Sequence, residues 1–380
     1  MIKKTFLYLA LGVLSMQISI PSFADSSIKI GETHNFVSTV LNEKRAIQVY
    51  LPASYNQYPN QKYPVVYLLD SESNFHYVTG IIEKLSKSPY PSIPEMVVIG
   101  IVNTDRARDL TPTPQKPQIK EGRLIEGKTG GNLAFFNFLE TELMPDVEKK
   151  YRTNGLNVLI GHSFGGITAL NHMLNGHKNI QAYIVHDPSI WWDDEIMLKR
   201  FKEVKHKDFQ HKKLFLTQVG SSENTASLDS HYNGIQKFNQ YLTQQPFAHL
   251  NYKYIQYEGE DHGTVPLKGN LDGLRYIFEG MQINIKSIPE NPDLVKQHYT
   301  QLSQNLGFEL QPSEVYLNAV FDYLKRSNNP KVTQQFQRYI LSIYPQWQSK
   351  STSLYIVYSK YKKRDVVKDF IDFTKNNINY

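Results

Sequence analysis

The spacing of apolar residues changes along this chain, and the change predicts its secondary structure. Near the start, Ile47, Val49 and Leu51 alternate with their neighbours, so the runs 36–41 and 45–51 predict a β-hairpin. Further along, the apolar runs are short and nearly continuous, which is typical of strands buried on both faces of a parallel sheet. These runs are 65–69, 96–102, 158–160, 182–185 and 214–219, and a further strand is predicted at 251–257.

Amphipathic helical segments separate these runs. Between residues 133 and 150, Phe135, Leu139, Leu143 and Val147 recur every four residues, which places them on one face of a helix. An antiparallel hairpin followed by alternating strands and helices predicts an α/β fold, with a mostly parallel central sheet covered by helices.

The predicted strands stop after about residue 285, and the region 285–380 is expected to be all-α. Its predicted helices are 293–306, 313–326, 331–343, 352–361 and 365–375. Corresponding helix starts recur after 34 to 38 residues, which is near the period of tetratricopeptide repeats. Two arrangements remain open, a tetratricopeptide-like solenoid and a plain bundle that extends the main core. The position of the region after the last strand favours a separate module, with a protein partner as one use for it.

The first 24 residues have the pattern of a secretory signal peptide. Lys3 and Lys4 precede a short apolar run at 6–14, and Ser22 and Ala24 supply the small residues of a cleavage site. A retained anchor is the alternative. We therefore expect a mature chain that is periplasmic or secreted, with an α/β domain at 25–284 and no integral membrane span.

Composition narrows the possible chemistry. The chain has 380 residues, 40% of them hydrophobic, and no Cys, which excludes disulfides, thiolate metal sites and a thiol nucleophile. The formal charge is +6, but from Lys286 onward there are 13 Lys and Arg against 8 Asp and Glu. The basic excess therefore lies in the C-terminal region and does not indicate nucleic-acid binding by the main domain. The sequence has no metal-ligand spacing or phosphate-binding glycine loop, so we expect no cofactor and no metal.

The strongest chemical signal is the Gly-His-Ser-Phe-Gly sequence at 161–165. It follows a predicted strand and precedes a predicted helix at 167–174. In that setting G-x-S-x-G predicts a nucleophile elbow, which makes Ser163 the candidate nucleophile. An ordinary serine in a glycine-rich turn is the alternative.

A serine hydroxyl needs a base, and in this motif class the chain order is Ser, acid, His. His262 lies in the loop after the last predicted strand and is the candidate base, with His186 next in line. The acid is expected after the strand at 214–219, where Glu223 is favoured over Asp229. Asp229 is instead expected to cap the next helix.

Two further sets of residues are candidates near the nucleophile. The backbone N–H groups of Phe164 and Ser71 are expected to form the oxyanion hole. Arg108, together with Arg106, is a candidate for binding an anionic substrate, although ion pairs within its own loop are an equal alternative. Trp191 and Trp192 are candidates for an aromatic wall, with one packed and one facing the cleft.

Together these residues resemble the Putative esterase family of the α/β-hydrolase superfamily, which includes esterase D, enterochelin esterases and feruloyl esterases. The resemblance covers about 47–280 and rests on the segments 50–52, 67–70, 108–113, 130–131, 161–166, 188–192 and 261–266. It implies an α/β-hydrolase fold and a Ser163, Glu223 and His262 triad. Ser71, the expected oxyanion donor, stands where the family has Gly. Asp187 stands where the family has Ser, which places a carboxylate near the cleft.

The function that we expect is hydrolysis of a carboxylic ester through an acyl-enzyme. The substrate is expected to be a small or polymer-linked ester, such as a siderophore or another acyl or aroyl ester. Acyl transfer on the same triad is one alternative. An exported interaction protein with a degenerate hydrolase domain is the other.

Overall fold

The computed structural model describes residues 28–120, 123–175, 180–220, 229–327 and 329–350. The strands in these residues are β1 Glu32–Ser38, β2 Glu43–Tyr50, β3 Tyr63–Leu68, β4 Val97–Ile101, β5 Gln118–Lys120, β6 Arg123–Ile125, β7 Thr153–His162, β8 Ala182–His186, β9 Lys213–Val219 and β10 Asn251–Tyr257. The helices of the main domain are α1 Ser71–Leu85, α2 Arg106–Asp109, α3 Asn132–Phe138, α4 Met144–Lys150, α5 Phe164–Leu174, α6 Ile196–Glu203, α7 Ser230–Gln244 and α8 Val265–Ile277, with a π-helical turn at Leu139–Leu143. They are followed by a 3-10 turn at Ile285–Ser287 and by α9 Leu294–Leu306, α10 Glu314–Arg326 and α11 Pro330–Ile343.

The main sheet has the strand order β1-β2-β4-β3-β7-β8-β9-β10. The hairpin β1–β2 and the β2–β4 pair are antiparallel, and every neighbouring pair from β4 to β10 is parallel. The α/β fold class with a mostly parallel sheet is therefore confirmed. The chain moves to opposite sides of β3 when it forms β4 and β7, so a crevice opens at the carboxyl ends of β3 and β7.

Burial on both faces explains why the central strands are apolar throughout. Every residue of β3 is buried. Val65 and Tyr67 contribute to the core on one face, while Val66 and Leu68 contribute to the core on the other. Because successive side chains of a strand point to opposite faces, a strand covered on both sides cannot show a polar alternation.

The C-terminal helices α9–α11 share one of these cores. Tyr299, Leu317 and Phe336 are buried in the same apolar cluster as Val66 and Ile160 of the sheet. The described residues after Ile30 also group into one compact unit. This packing matches the bundle that extends the main core, not the separate module that the sequence favoured. The tetratricopeptide-like arrangement is not confirmed by the described helices α9–α11.

The signal peptide predicted at 1–24 and the last two predicted helices, 352–361 and 365–375, lie outside the described residues. Among the residues that are described, no helix has both the length and the apolar character needed to cross a bilayer.

Candidate active site

Ser163 lies on a sharp turn between β7 and α5. Its φ of 57° and ψ of −114° put it in a region that side-chain-bearing residues seldom adopt. The turn needs glycine on one side, because a Cβ at Gly161 would lie 2.1 Å from the carbonyl oxygen of Gly165. This is the strand–turn–helix geometry of a nucleophile elbow.

Three residues at the carboxyl ends of strands in the crevice have a strained backbone. Asp70 after β3, Ser163 after β7 and Asp187 after β8 all have positive φ, at 52°, 57° and 39°. Such conformations cost about 1–3 kcal/mol each and persist where the surrounding structure enforces them, most often at functional sites.

Asp187 provides the carboxylate of this site. It follows β8, the strand that pairs with β7, and its Oδ2 lies 2.6 Å from His262 Nδ1. Its other oxygen accepts a hydrogen bond from the backbone N–H of Val219 at 3.2 Å, and the side chain is fully buried. Glu223, the acid favoured from the sequence, lies outside the described residues. Asp229 caps α7 as expected, since its side chain accepts hydrogen bonds from two N–H groups of the first turn.

His262 lies in the short loop between β10 and α8. The Asp261 side chain accepts hydrogen bonds of 2.8 Å from the backbone N–H groups of Gly263 and Thr264, which holds the loop in one conformation. The His262 ring packs 4.4 Å from the ring of His162, measured between centroids. With Nδ1 donating to Asp187, the Nε2 of a neutral His262 is free to accept a proton.

A second histidine reaches the same carboxylate oxygen. His231 in the first turn of α7 places Nε2 2.9 Å from Asp187 Oδ2. Its other ring nitrogen, Nδ1, lies 2.9 Å from Trp191 Nε1. Two imidazole rings therefore converge on one buried aspartate.

The titratable residues at this site differ in their pKa values. Burial alone raises the pKa of the Asp187 carboxyl, but hydrogen bonds from His231 and His262 outweigh it and hold that pKa well below its usual range. Burial lowers the pKa of His186 to about 4, and burial beside His262 and His186 lowers the pKa of His162 to about 2. Asp187 is thus charged, while His162 and His186 are neutral at physiological pH.

Asp187, His231 and His262 are close enough together to suggest a metal centre. The donor pattern argues otherwise. An indole N–H can only donate, so Trp191 requires a lone pair on His231 Nδ1, and the proton of the neutral ring must lie on Nε2. That nitrogen therefore has no lone pair for a cation, and the residues fit a hydrogen-bonded chain instead.

The backbone N–H groups expected to form an oxyanion hole open two helices. Ser71 begins α1 and Phe164 begins α5, where the first N–H groups have no acceptor within the helix. The two segments are adjacent, because a Cβ at Gly165 would lie 3.1 Å from Asp70 Oδ2. The hydroxyl of Ser163 itself lies 3.1 Å from that of Ser189.

Comparison with known proteins bears on what this arrangement does. Residues 38–260 match the family described as Putative esterase, which is more than half of the chain. The chain belongs to this family.

Three relatives of this esterase-family chain are similar to it in sequence or structure. An IroE-like serine hydrolase from Shewanella oneidensis is 31% identical, and its structure matches 82% of this chain and 99% of its own with a TM-score of 0.74. Ferri-bacillibactin esterase BesA of Bacillus subtilis is 32% identical over 42% of this chain and 59% of its own length. A siderophore triacetylfusarinine C esterase of Aspergillus fumigatus is 28% identical over 40% of this chain and 59% of its own. The chain thus spans 59% of the length of both curated relatives.

The two candidate arginines of this esterase-family chain have different surroundings. Arg108 makes a two-pronged contact with Glu43, at 3.0 and 2.9 Å, and a third at 2.6 Å with Asp109. It therefore shapes its loop, the alternative considered from the sequence. Arg106 remains 35% exposed, pairs with Asp70 and lies 5.3 Å from the centre of the Phe164 ring, next to the nucleophile.

Trp191 and Trp192 are both buried, so neither forms an open aromatic wall. Both rings pack against Phe164, at centroid distances of 6.1 and 5.1 Å. Trp192 donates to Thr113 at 3.0 Å, and Trp191 donates to His231. The two tryptophans therefore pack against the nucleophile elbow at Phe164, and Trp191 also contacts the Asp187 cluster through His231.

Sequence reasoning missed His231 and gave Asp187 only a minor place. Asp187 was noted as a departure from the family pattern, and that was a usable signal. No local signal marks His231, because it reaches Asp187 only through the packing of α7 against the 190–191 segment. There a Cβ at Gly234 would lie 3.3 Å from the backbone nitrogen of Trp191.

Proposed function

We propose that this chain is a serine hydrolase of carboxylic esters that works through an acyl-enzyme, with Ser163 as nucleophile, His262 as base and Asp187 as the triad acid. The observation that carries the proposal is the 2.6 Å contact between His262 Nδ1 and the buried Asp187 carboxylate, beside a strained serine on a nucleophile elbow. The chain order Ser163, Asp187, His262 is the order expected for this fold.

The geometry supports the following steps. His262 Nε2 takes the proton of the Ser163 hydroxyl as its oxygen attacks the ester carbonyl carbon. The resulting tetrahedral intermediate collapses, the carbon–oxygen bond to the alcohol breaks, and His262 returns the proton to the departing alkoxide. Water then attacks the acyl-enzyme and gives its proton to His262. The second tetrahedral intermediate collapses, the bond between the acyl carbon and the Ser163 oxygen breaks, and His262 returns the proton to that oxygen as the carboxylic acid leaves. Asp187 holds the required tautomer throughout and stabilises the imidazolium that forms twice per cycle.

The negative charge of each tetrahedral intermediate falls on the former carbonyl oxygen. We expect the N–H groups of Phe164 and Ser71, at the first positions of α5 and α1, to donate to it, because both helix N-termini carry a partial positive charge. The side chain of Ser71 does not take part, because it points toward Gly100 of β4, where a Cβ would meet its Oγ at 3.0 Å.

The substrate class we favour is an ester of the siderophore type. Two curated relatives are named as esterases of siderophores, and the part-exposed Arg106 beside Phe164 offers a cation to an anionic acyl group. Because Arg106 is already paired with Asp70, it would orient such a group more than attract it from a distance.

Export of the protein is part of the proposal. Lys3, Lys4, the apolar run after them and the small residues before position 25 support cleavage of a signal peptide. N-terminal sequencing of protein recovered from the periplasm or medium tests this, with a new terminus at Asp25 as the expected result.

Covalent labelling with a fluorophosphonate tests the enzymatic proposal directly. The wild type should incorporate one equivalent at Ser163, identified by mass spectrometry of the labelled peptide, and should hydrolyse short acyl esters. Ser163→Ala should lose labelling and lose several orders of magnitude in kcat. Ser189→Ala is the matched control, since its hydroxyl lies only 3.1 Å from that of Ser163. Label on the wild type at Ser189, or normal turnover by Ser163→Ala, would refute the assignment.

A further inference from the structure

His231 and Trp191 extend the proposed triad behind its acid. The hydrogen bonds run from Trp191 Nε1 to His231 Nδ1 at 2.9 Å and from His231 Nε2 to Asp187 Oδ2 at 2.9 Å. His262 Nδ1 meets the same carboxylate oxygen at 2.6 Å. The triad, as usually described, does not use this second imidazole.

The Trp191 contact sets the direction of the hydrogen bonds that follow it. Trp191 can only donate, so His231 Nδ1 must accept, and the proton of the neutral His231 ring lies on Nε2 and points at Asp187. A doubly protonated His231 would set two N–H groups against each other at Nδ1. The Trp191 contact therefore keeps His231 as a neutral donor to the carboxylate.

The neutrality of His231 has a consequence for catalysis. A charged His231 would form its own ion pair with Asp187 and weaken the attraction between Asp187 and the His262 imidazolium. A neutral His231 holds the carboxylate in place by a hydrogen bond and leaves its charge to His262. Asp187 is fully buried, and among the described residues its carboxylate is otherwise held by the Val219 N–H on its other oxygen and by His262 itself.

The backbone places His231 for this contact. Asp229 caps α7 and accepts a hydrogen bond of 2.9 Å from the His231 N–H, which fixes the first turn of the helix. Gly234, one turn later, lets α7 approach the 190–191 segment closely. The His231 and His262 rings meet edge to face at 5.1 Å, and both reach the same oxygen of the carboxylate.

We propose that His231 is a positioning residue of the esterase site: held neutral by Trp191, it aligns Asp187 for His262 without neutralising it. This inference rests on the proposed triad. Since His231 acts only through Asp187, its removal should lower kcat and leave KM unchanged, and it should have no effect once Asp187 is gone.

A double-mutant cycle on the full chain tests this, with kcat and KM measured on a p-nitrophenyl short-acyl ester. His231→Phe keeps the ring shape and loses the donor, and kcat should fall about 10- to 100-fold, the scale typical when a partner that orients a histidine system is lost. KM should stay within about twofold, since no substrate contact is removed. In the Asp187→Asn background the same change should alter kcat less than about twofold.

Rescue by a conservative variant separates positioning from simple packing. In His231→Gln the side-chain amide can accept from Trp191 and donate to Asp187, so most of the kcat should return, and the Phe variant should stay slow at equal melting temperature. His249→Phe is the control for loss of an exposed histidine paired with an aspartate, Asp208, and should behave as wild type.

The results distinguish failure of the inference from failure of the triad. If Asp187→Asn is slow but His231→Phe is not, or if the His231→Phe effect is equally large in both backgrounds, His231 does not act through Asp187. A rise in KM alone would make it a substrate contact and overturn the proposal in the same way. If Asp187→Asn itself keeps wild-type kcat, the triad assignment fails and this inference fails with it.

Discussion

Replacing Asp187 with Asn changes one atom at the centre of the site and tests which carboxylate serves His262. Asp187 Oδ1 accepts from the Val219 N–H at 3.2 Å, while Oδ2 faces both imidazole rings. An Asn side chain has a single oxygen. If that oxygen stays toward Val219, the amide NH₂ faces the rings, and His262 must present the lone pair of Nδ1. Its proton then lies on Nε2, which can no longer accept the proton of Ser163.

The opposite amide orientation is also costly. Turning the oxygen toward the rings preserves the useful His262 tautomer but sets the buried NH₂ against the Val219 N–H. An unsatisfied buried donor costs about 1–3 kcal/mol, so this productive arrangement is a minor population, and it still lacks the negative charge that stabilises the imidazolium. We therefore expect kcat to fall by about 10³ to 10⁴, compared with about 10⁴ for the corresponding change in a Ser–His–Asp protease triad.

Steady-state hydrolysis of a short p-nitrophenyl ester measures this effect. Asp229→Asn is the matched control, because Asn caps a helix about as well as Asp, and its kcat should remain within about twofold of wild type. Glu223→Gln tests the acid favoured from the sequence and should also be nearly unchanged. The reasoning is refuted if Asp187→Asn keeps more than about a tenth of the wild-type kcat, and a large loss in Glu223→Gln would transfer the role to that residue.

Three further predictions concern stability and specificity. The free energy of unfolding should fall as the pH drops from 6.5 toward 4, because His186 binds a proton in the unfolded chain but not in its buried folded site. By pH 5 this difference at His186 lowers the free energy of unfolding by about 2 kcal/mol. Urea denaturation at several pH values measures it, and a stability that does not change with pH would contradict it. Phe336→Ala should destabilise the whole protein by about 3–5 kcal/mol in one transition, while exposed Gln337→Ala should not; a second transition in calorimetry, with unaltered thermal loss of activity, would instead indicate a separate C-terminal module. Arg106→Gln should raise KM for an anionic aroyl ester but not for a neutral one, whereas Arg108→Gln should lower the melting temperature at unchanged KM, and the reverse pattern would exchange their roles.

Acid sensitivity of the site has a definite sign. Asp187 has a folded-state pKa below its usual value, so its contribution to stability is present above the unfolded value and is lost as pH falls through the folded one. His186 and His162 also have lowered pKa values in the folded protein, because burial favours their neutral form. Acid protonates these residues more readily in the unfolded chain, which lowers the free energy of unfolding. All three groups therefore act in the same direction.

Local sequence determined the parts of this protein whose physics is local. The run of residues predicted as the last strand, 251–257, matches β10, because a strand between turn residues needs only its own pattern and flanks. The strand, turn and helix around Ser163 follow from the glycines at 161 and 165, and the role of Asp229 as a cap follows from its place before α7. The order of these pieces along the chain was enough to predict the fold class and the family.

Tertiary structure alone decided which carboxylate meets His262. Asp187 and Glu223 both follow strands and both precede His262 in the chain, so spacing cannot choose between them. The choice depends on β8 lying directly beside β7, which places Asp187 next to the elbow. His231 and Trp191 meet only because α7 packs against the segment after β8. Likewise, the sequence predicted that the apolar faces of α9–α11 are buried, but the surface that buries them is known only from the structure. The amphipathic pattern of a helix depends on its own residues and carries no information about the surface that it packs against.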